Sequence, residues 1–381
     1  MKRIRIQVAA LATLLAAAPA WADLTIGVSI SLTGPTSALG IPTKNGIELW
    51  PKTIAGEKVN VIMLDDATDP TQGVKNTRRL ITEDKVDVVV GSVTTPVAIA
   101  MADVCVEGKT VQLMLSPANL PPGKDAWSFR MPQSTAVMSI PIVEYWKKIG
   151  VKTFGFLGYS DGYGEAWLHD IVPLAEKAGI KLVATERFAR SDTSVTGQAL
   201  KLVSANPDAI LVVASGSGAA MPHKGLVERG YAKAKVYQTH GAASRDLIRI
   251  GGADVEGSYV ASGPAVVADK LPDSNASKAL GVQYLAAYEK AYGKGLANQF
   301  AAHAFDVAVV LDKAVPLALK KAKPGTPEFR AALKDALETM GRTPVSQGVL
   351  SYTAADHFGF TPETGVLLKI VGGDWQVVPA K

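Results

Sequence analysis

Residues 156–167 read FLGYSDGYGEAW, and within them Gly158-Tyr159-Ser160-Asp161-Gly162 matches the G-x-S-x-G turn that presents a nucleophilic serine between a strand and a helix. Ester or amide hydrolysis at Ser160 would also need an oxyanion hole and a histidine base. No His-Gly-Gly-Gly type segment precedes the turn, and His357 in AADHFGF is the histidine a hydrolase would have to recruit. A serine hydrolase therefore stands only as an alternative of another class, and Ser160 is expected to shape the turn without reacting. His357 is expected on a surface turn, His169 and His223 on helix surfaces, and His303 in QFAAHAFDVAVV as a packing residue with its hydrogen bonds satisfied. Five histidines and one cysteine without ligand spacing predict no metal site, and no G-x-x-x-x-G-K-[ST] is present for a nucleotide. No cofactor is expected. Cys105 lies at an apolar helical position in VAIAMADVCVEG and is expected to be a buried, inert thiol.

The elements around this turn alternate. LTIGVSIS, KVNVIMLD, VDVVVGS and TVQLMLS are β-branched runs without polar alternation, as in parallel strands covered on both faces. DPTQGVKNTRRLITEDK and PVAIAMADVCVEG read as helices between them. The pattern restarts with VKTFGFLGY, IKLVATERF, DAILVVAS and KVYQTH, predicting a second sheet with its own helices. From about residue 274 the chain turns helical, and it closes with GVLSYT, TGVLLKIV and DWQVVPA as short strands. In such folds ligands bind beyond the carboxyl ends of the strands. SLTGPTSALG, GSVTTP, SPANLPPG and GYSDGYGE stand at those ends, and their hydroxyls and helix-start N–H groups suit an anion.

The N-terminus points to export. Lys2, Arg3 and Arg5 lead into IQVAALATLLAAAPAWA, whose small-x-small ending predicts a signal peptide over residues 1–22, cut after Ala22. Removing those 22 of 381 residues leaves 359, enough for two cores. Three of the 40 basic residues leave with the leader, so 37 face 35 acids and the net charge falls from +5 to +2. With no basic patch interleaved with aromatics, no nucleic acid partner is expected.

TIGVSISLTGPTSALGIPTKNGIEL, LDDATDPTQGVKNTRRLI, VDVVVGSVTTPVAIA, LMLSPANLPP, FRMP and YGEAW occur in order along nearly the whole mature chain. Together they resemble the leucine-isoleucine-valine type of periplasmic solute-binding protein of ABC transporters. The resemblance implies an α/β fold of type I periplasmic binding protein, two doubly wound parallel-sheet lobes joined by a three-strand hinge with the ligand cleft between them. Lobe 1 is expected over 23–143 and again over 266–345, lobe 2 over 144–265, and 346–381 as a hinge crossing with the C-terminal strands of lobe 2. A periplasmic monomer that closes over a small carboxylate and delivers it to the membrane permease is implied. A free carrier is favoured over a signalling receptor built on the same domain.

The resemblance also implies site residues. Thr95, with Thr94 beside it, matches the hydroxyl residue that holds the ligand carboxylate, and Ala118, with Asn119, a residue that contributes backbone groups. Tyr163 matches a tyrosine facing the cleft. Three positions depart from the leucine-type pattern. Leu120 stands where a threonine helps hold the α-ammonium, His240 where a glutamate does, and the Gly216-Ser217-Gly218 turn where another tyrosine is placed, with Ser217 expected to line the widened site. Leucine cannot bond to an ammonium, and an imidazole offers a cation no ionic partner. Losing those ligands would cost about 2–5 kcal/mol, enough to remove micromolar amino acid binding. An aromatic acid of the benzoate or hydroxybenzoate kind is the expected ligand, with branched-chain or other amino acids, amides or urea as alternatives.

Overall fold

A computed structural model describes residues 23–121 and 123–379; the expected leader, residues 1–22, and its cut after Ala22 lie outside the described residues. The first sheet takes β1 (Leu24–Ile30), β2 (Thr53–Ile54), β3 (Glu57–Asp65), β4 (Val88–Gly91), β5 (Val111–Met114) and β6 (Ser128–Arg130) in the order β2-β3-β1-β4-β5-β6. Its main strands are parallel, and only β2 pairs antiparallel, on β3. The second sheet takes β7 (Thr153–Tyr159), β8 (Lys181–Phe188), β9 (Ala209–Val213), β10 (Val236–Gln238) and β11 (Tyr259–Ser262). After a two-stranded ribbon of β12 (Thr343–Val345) and β13 (Gly348–Leu350), it is completed by β14 (Val366–Val371) and β15 (Asp374–Val377), giving β15-β14-β11-β10-β9-β7-β8. Two doubly wound sheets with helices on their faces make a type I, two-lobe binding-protein fold. Among the described residues no helix is long and apolar enough to cross a membrane.

Each sheet has its own core. Ile26, Val28, Val88, Val90 and Leu113 pack against the helices Gln299–Leu319 and Pro327–Thr339, so chain from beyond the second sheet returns to cover the first. Phe154, Leu211, Val212 and Tyr237 pack with Trp146 and Trp167 around the second. The helix Thr135–Ile149 contributes Met138, Ile142 and Val143 to this second core. The boundary expected at residue 143 therefore falls inside a helix that the second sheet holds. The C-terminal segment differs from expectation in a similar way: Val345, Leu350, Tyr352 and Phe360 pack in the first core, and only β14 and β15 join the second sheet. GVLSYT is a hairpin arm on lobe 1, whereas β11, in the segment GSYVAS, lies between β10 and β14.

The acidic motif LDDATDP holds the first cleft loop in place. Asp65 accepts N–H bonds from Leu32, Thr33 and Ala67, the neighbouring Asp66 accepts the Ser31 and Ser92 hydroxyls, and Asp69 caps the helix Pro70–Thr82. The opening turn is built alike. Asp161 accepts from the N–H groups of Tyr163 and Gly164 at the start of the helix Gly162–Lys177. A Cβ on Gly164 would lie 1.8 Å from the Tyr159 carbonyl oxygen, so the third glycine of this stretch is demanded by helix-on-strand packing. Ser160 is exposed at the end of β7.

Cys105 is fully buried, and its burial pushes the thiol well above the usual range, which removes the thiolate a nucleophile needs. Two histidines depart from the surface positions expected of them. His223 is buried and bonds through Nε2 to the Asp254 carbonyl, and His357 is buried, stacked on Phe129 and bonded to Asp125 and Glu338. His169 is exposed, as its helix-surface position predicts.

Candidate functional site

A cleft lies between the sheets, walled on one side by Thr94, Thr95, Ser116 and Phe300 of lobe 1 and on the other by Tyr163, Arg190 and His240 of lobe 2. Thr95 starts the helix Thr95–Glu107 at the end of β4, while Tyr163 stands on the first turn of the facing helix. The two helix starts approach so closely that a Cβ on Gly162 would lie 3.3 Å from the Thr95 methyl group. At another point of the cleft the Gln299 amide, on the first turn of Gln299–Leu319, donates to the His240 carbonyl. These two contacts join lobe 1 to lobe 2 beside the space between them.

The polar groups facing that space are unusual in being unpaired. Thr94 Oγ1, Thr95 Oγ1, Ser116 Oγ, His240 Nδ1, Gln299 Oε1 and His303 Nε2 are all buried without a hydrogen-bond partner. Each such group costs about 1–3 kcal/mol if nothing meets it, and six converging on one cleft mark it as a place built for a ligand. Neither caps nor sheet ladders account for them: the Thr94 side chain makes no capping bond to the helix it precedes.

Charge in the lining has one sign. Arg190 is mostly buried; its Nε donates to Asp161 at 2.6 Å, its Nη1 donates to Ser215 at 2.9 Å, and its guanidinium lies 4.1 Å from the Tyr159 ring centre. Among the described residues no aspartate or glutamate lines the cleft. Burial holds the imidazoles neutral, pushing both His240 and His303 down to about 3, the latter with help from His240. The Tyr163 phenol is pushed up to about 12 by burial and remains protonated, bonded to Thr239 at 2.9 Å and accepting from the Gly241 N–H. Its hydroxyl is thus engaged within lobe 2.

Of the residues singled out from sequence, Thr94, Thr95, Tyr163 and His240 come together in the lining. Ala118, Asn119, Leu120 and Ser217 do not belong to it. Ala118 is buried beneath the loop, its carbonyl accepting from Arg130 Nε, and Asn119 is exposed. Leu120 packs on a small apolar cluster with Ala98, Ala102 and Met114. The glycine turn leaves less room than its sequence suggests: Gly216, at φ +55°, lies against Leu39 and Ala38 of the other lobe, and the Tyr159 hydroxyl fills the place beside Gly218. Arg190, Ser116, Gln299 and His303 were not singled out as site residues. Ser116 opens the SPANLPPG loop already suspected, Arg190 stands in the ARSDTS turn at the carboxyl end of β8, and His303 sits among alanines that look like core.

Buried neutral imidazoles have a measurable consequence. His223 is held near 4 and His240 and His303 near 3, all below their unfolded value, so the unfolded chain binds more protons and stability falls as pH drops from about 6.5 toward those values. Each imidazole costs about 2 kcal/mol by pH 5. Asp306, raised by burial to about 7, acts in the opposite direction over the same range, with Asp66 and Asp87 raised by burial in the same sense, while the hydrogen-bonded Asp65 and Asp208, held low, act with the three imidazoles. The melting temperature is therefore expected to be several degrees lower at pH 5 than at pH 7, as read by calorimetry; an unchanged or higher value at pH 5 would contradict neutral burial.

A sequence profile of the family described as periplasmic binding protein matches residues 23–368. The chain is 29% identical over 265 residues to Leu/Ile/Val-binding protein homolog 3 of Brucella melitensis, covering 66% of this chain and 70% of that one. It is 46% identical to an extracellular ligand-binding receptor from Rhodopseudomonas palustris of known structure, with a TM-score of 0.92 over 94% of this chain and 99% of the other. The same fold recurs at a TM-score of 0.77 and 18% identity, over 94% and 96% of the two chains, in a Rhodopseudomonas palustris solute-binding protein solved with benzoate.

Proposed function

This chain belongs to the periplasmic binding protein family, in its leucine/isoleucine/valine type serving ABC transporters, and from that premise we propose that its ligand is an aromatic carboxylate without an α-ammonium group. What carries this reading is the lining: one guanidinium, three buried unpaired hydroxyls and, among the described residues, no carboxylate. A carboxylate accepts from the Thr94, Thr95 and Ser116 hydroxyls and from the start of the helix Thr95–Glu107, with Arg190 supplying the opposite charge. An ammonium would enter desolvated and unpaired, at a cost of several kcal/mol. Leu39, Val93, Leu115, Pro117, Pro132 and Phe300 give the remaining walls an apolar character that suits a ring. Benzoate bound in a distant relative of the same fold shows only that the architecture accommodates a ring acid.

Capture follows from geometry. A ligand that touches both Thr95 and Arg190 bonds to both lobes at once, so its binding energy favours the closed form. The closed carrier then presents both lobes to a membrane permease in the periplasm, with the carrier acting as a monomer after loss of residues 1–22.

The test is a thermal-shift screen of the mature protein against benzoate, hydroxybenzoates and aliphatic amino acids. A ligand at about 100 times its Kd adds about 2.7 kcal/mol, a shift of a few degrees for a chain of this size. Ring acids are expected to raise the melting temperature and leucine to leave it unchanged. A shift with leucine alone would return the chain to the amino acid specificity in the names of its Brucella relatives.

A further inference from the structure

The unpaired groups of the cleft fall into two chemically different sets. Thr94, Thr95 and Ser116 carry hydroxyls, which can donate, and Thr94 and Thr95 stand at a helix start. The second set gathers where the helix Gln299–Leu319 meets the turn at His240: Gln299 Oε1, His240 Nδ1 and His303 Nε2. Its members are not interchangeable with the first. The Gln299 amide nitrogen donates to the His240 carbonyl, and its oxygen, buried without a partner in a residue that lines the cleft, is an acceptor that can never donate. A carboxylate has no proton to offer it. The group that satisfies it must bring a donor, and a neutral imidazole nitrogen bearing hydrogen needs an acceptor beside it. A hydroxyl does both, donating to Gln299 and accepting from a histidine.

We infer that Gln299, His240 and His303 form a hydroxyl-reading subsite, which selects ring acids that carry a hydroxyl away from the carboxylate. This rests on the reading of the cleft as a carboxylate site and adds to it a second polar requirement. All three residues are almost completely buried, His303 and His240 at 2% exposure and Gln299 at 1%, so water does not readily take the ligand's place once the lobes close. Selection against a ligand lacking the hydroxyl then arises because three buried groups are left without a partner. Gln299 belongs to lobe 1 and His240 to lobe 2, so the same hydroxyl also ties the two lobes together at this contact.

The test compares three ligand series on the unaltered mature protein by calorimetric titration: unsubstituted benzoate, its hydroxylated isomers, and the matching methoxy acids, which accept but cannot donate. At least one hydroxy acid is expected to bind about tenfold or more tightly than benzoate, and its methoxy counterpart to lose that advantage. In His303→Phe and Gln299→Met the ratio between that hydroxy acid and benzoate is expected to drop below about threefold. Equal binding of hydroxylated and plain acids would overturn the subsite while leaving the carboxylate reading intact; methoxy acids binding as well as hydroxy acids would overturn the donor requirement at Gln299. Failure of every ring acid, with leucine bound, would overturn the reading of the ligand as a ring acid without an α-ammonium group, and with it the subsite. The ligand series decides the matter even where a variant does not fold.

Discussion

Replacing Arg190 with Met is expected to weaken the binding of a ring acid about 100-fold or more. The guanidinium is the only formal positive charge in the cleft lining among the described residues, and its side chain is only 13% exposed. Removing a charge-assisted bond to a desolvated carboxylate costs about 2–5 kcal/mol, most of it because the anion remains buried without its counter-charge. Fold integrity is a separate matter. Asp161 loses a partner at 2.6 Å but keeps the Tyr163 and Gly164 N–H groups, so the helix it caps should persist and the ligand-free melting temperature should move by only a few degrees. Arg190→Lys should fall between the two, since an ammonium retains the charge but cannot hold Asp161 and Ser215 together while stacking on Tyr159. Titration of the three proteins with the same acid checks this ordering. Equal affinities in all three would remove the guanidinium from ligand recognition and with it the electrostatic argument for an acid.

Much of the molecule was legible before its structure, for reasons that differ by element. Parallel strands covered on both faces are continuous apolar runs, so β1, β4, β7 and β9 stood out, and the alternation of strands with helices implied two doubly wound sheets. The strand β11 did not: GSYVAS is short and half polar, because Ser262 bonds to the adjacent Gly263 carbonyl at the exit from the sheet. Lobe assignment of the late chain was also hidden, since a segment such as GVLSYT looks the same whichever core receives Leu350 and Tyr352. In the site, turns rich in small and hydroxylated residues marked where the cleft would lie, and the family resemblance picked out Thr94, Thr95 and Tyr163 within them. Arg190, although in a turn at the carboxyl end of β8, and Gln299 could not be assigned to the site from local sequence because their role depends on groups far off in the chain, Asp161 and Ser215 for one and His240 for the other. His303 shows the limit most plainly. On a helix buried along nearly all its length, an apolar environment suggests packing, and only the unpaired Nε2 distinguishes a residue that waits for a partner from one that has it.

Replacing His240 with Glu, the residue of the leucine-type pattern at this position, is expected to abolish ring-acid binding rather than to convert the protein into a leucine carrier. Neutral at pH 7 because burial holds it near 3, His240 exerts no net repulsion on an anion. A carboxylate in its place would. Two like charges about 6 Å apart at an effective dielectric constant of 20 repel by about 3 kcal/mol, close to 100-fold in affinity. The companion change Leu120→Thr is expected to add nothing, since Leu120 packs on Ala98, Ala102 and Met114 and does not line the cleft, so the hydroxyl would have no ammonium to meet. Because the new carboxyl is buried, its folded pKa is raised, and the stability it contributes is lost as pH rises through that value. The variant should therefore melt below the parent protein at pH 7 and approach it toward pH 5, which separates a charge effect from damaged packing. Titrations with benzoate and with leucine complete the comparison. If His240→Glu binds ring acids as tightly as the parent, the ligand carboxylate lies beyond the reach of position 240; if the double variant binds leucine at micromolar concentration, the loop bearing Leu120 turns inward when the lobes open, and the two departures from the leucine-type pattern act together after all.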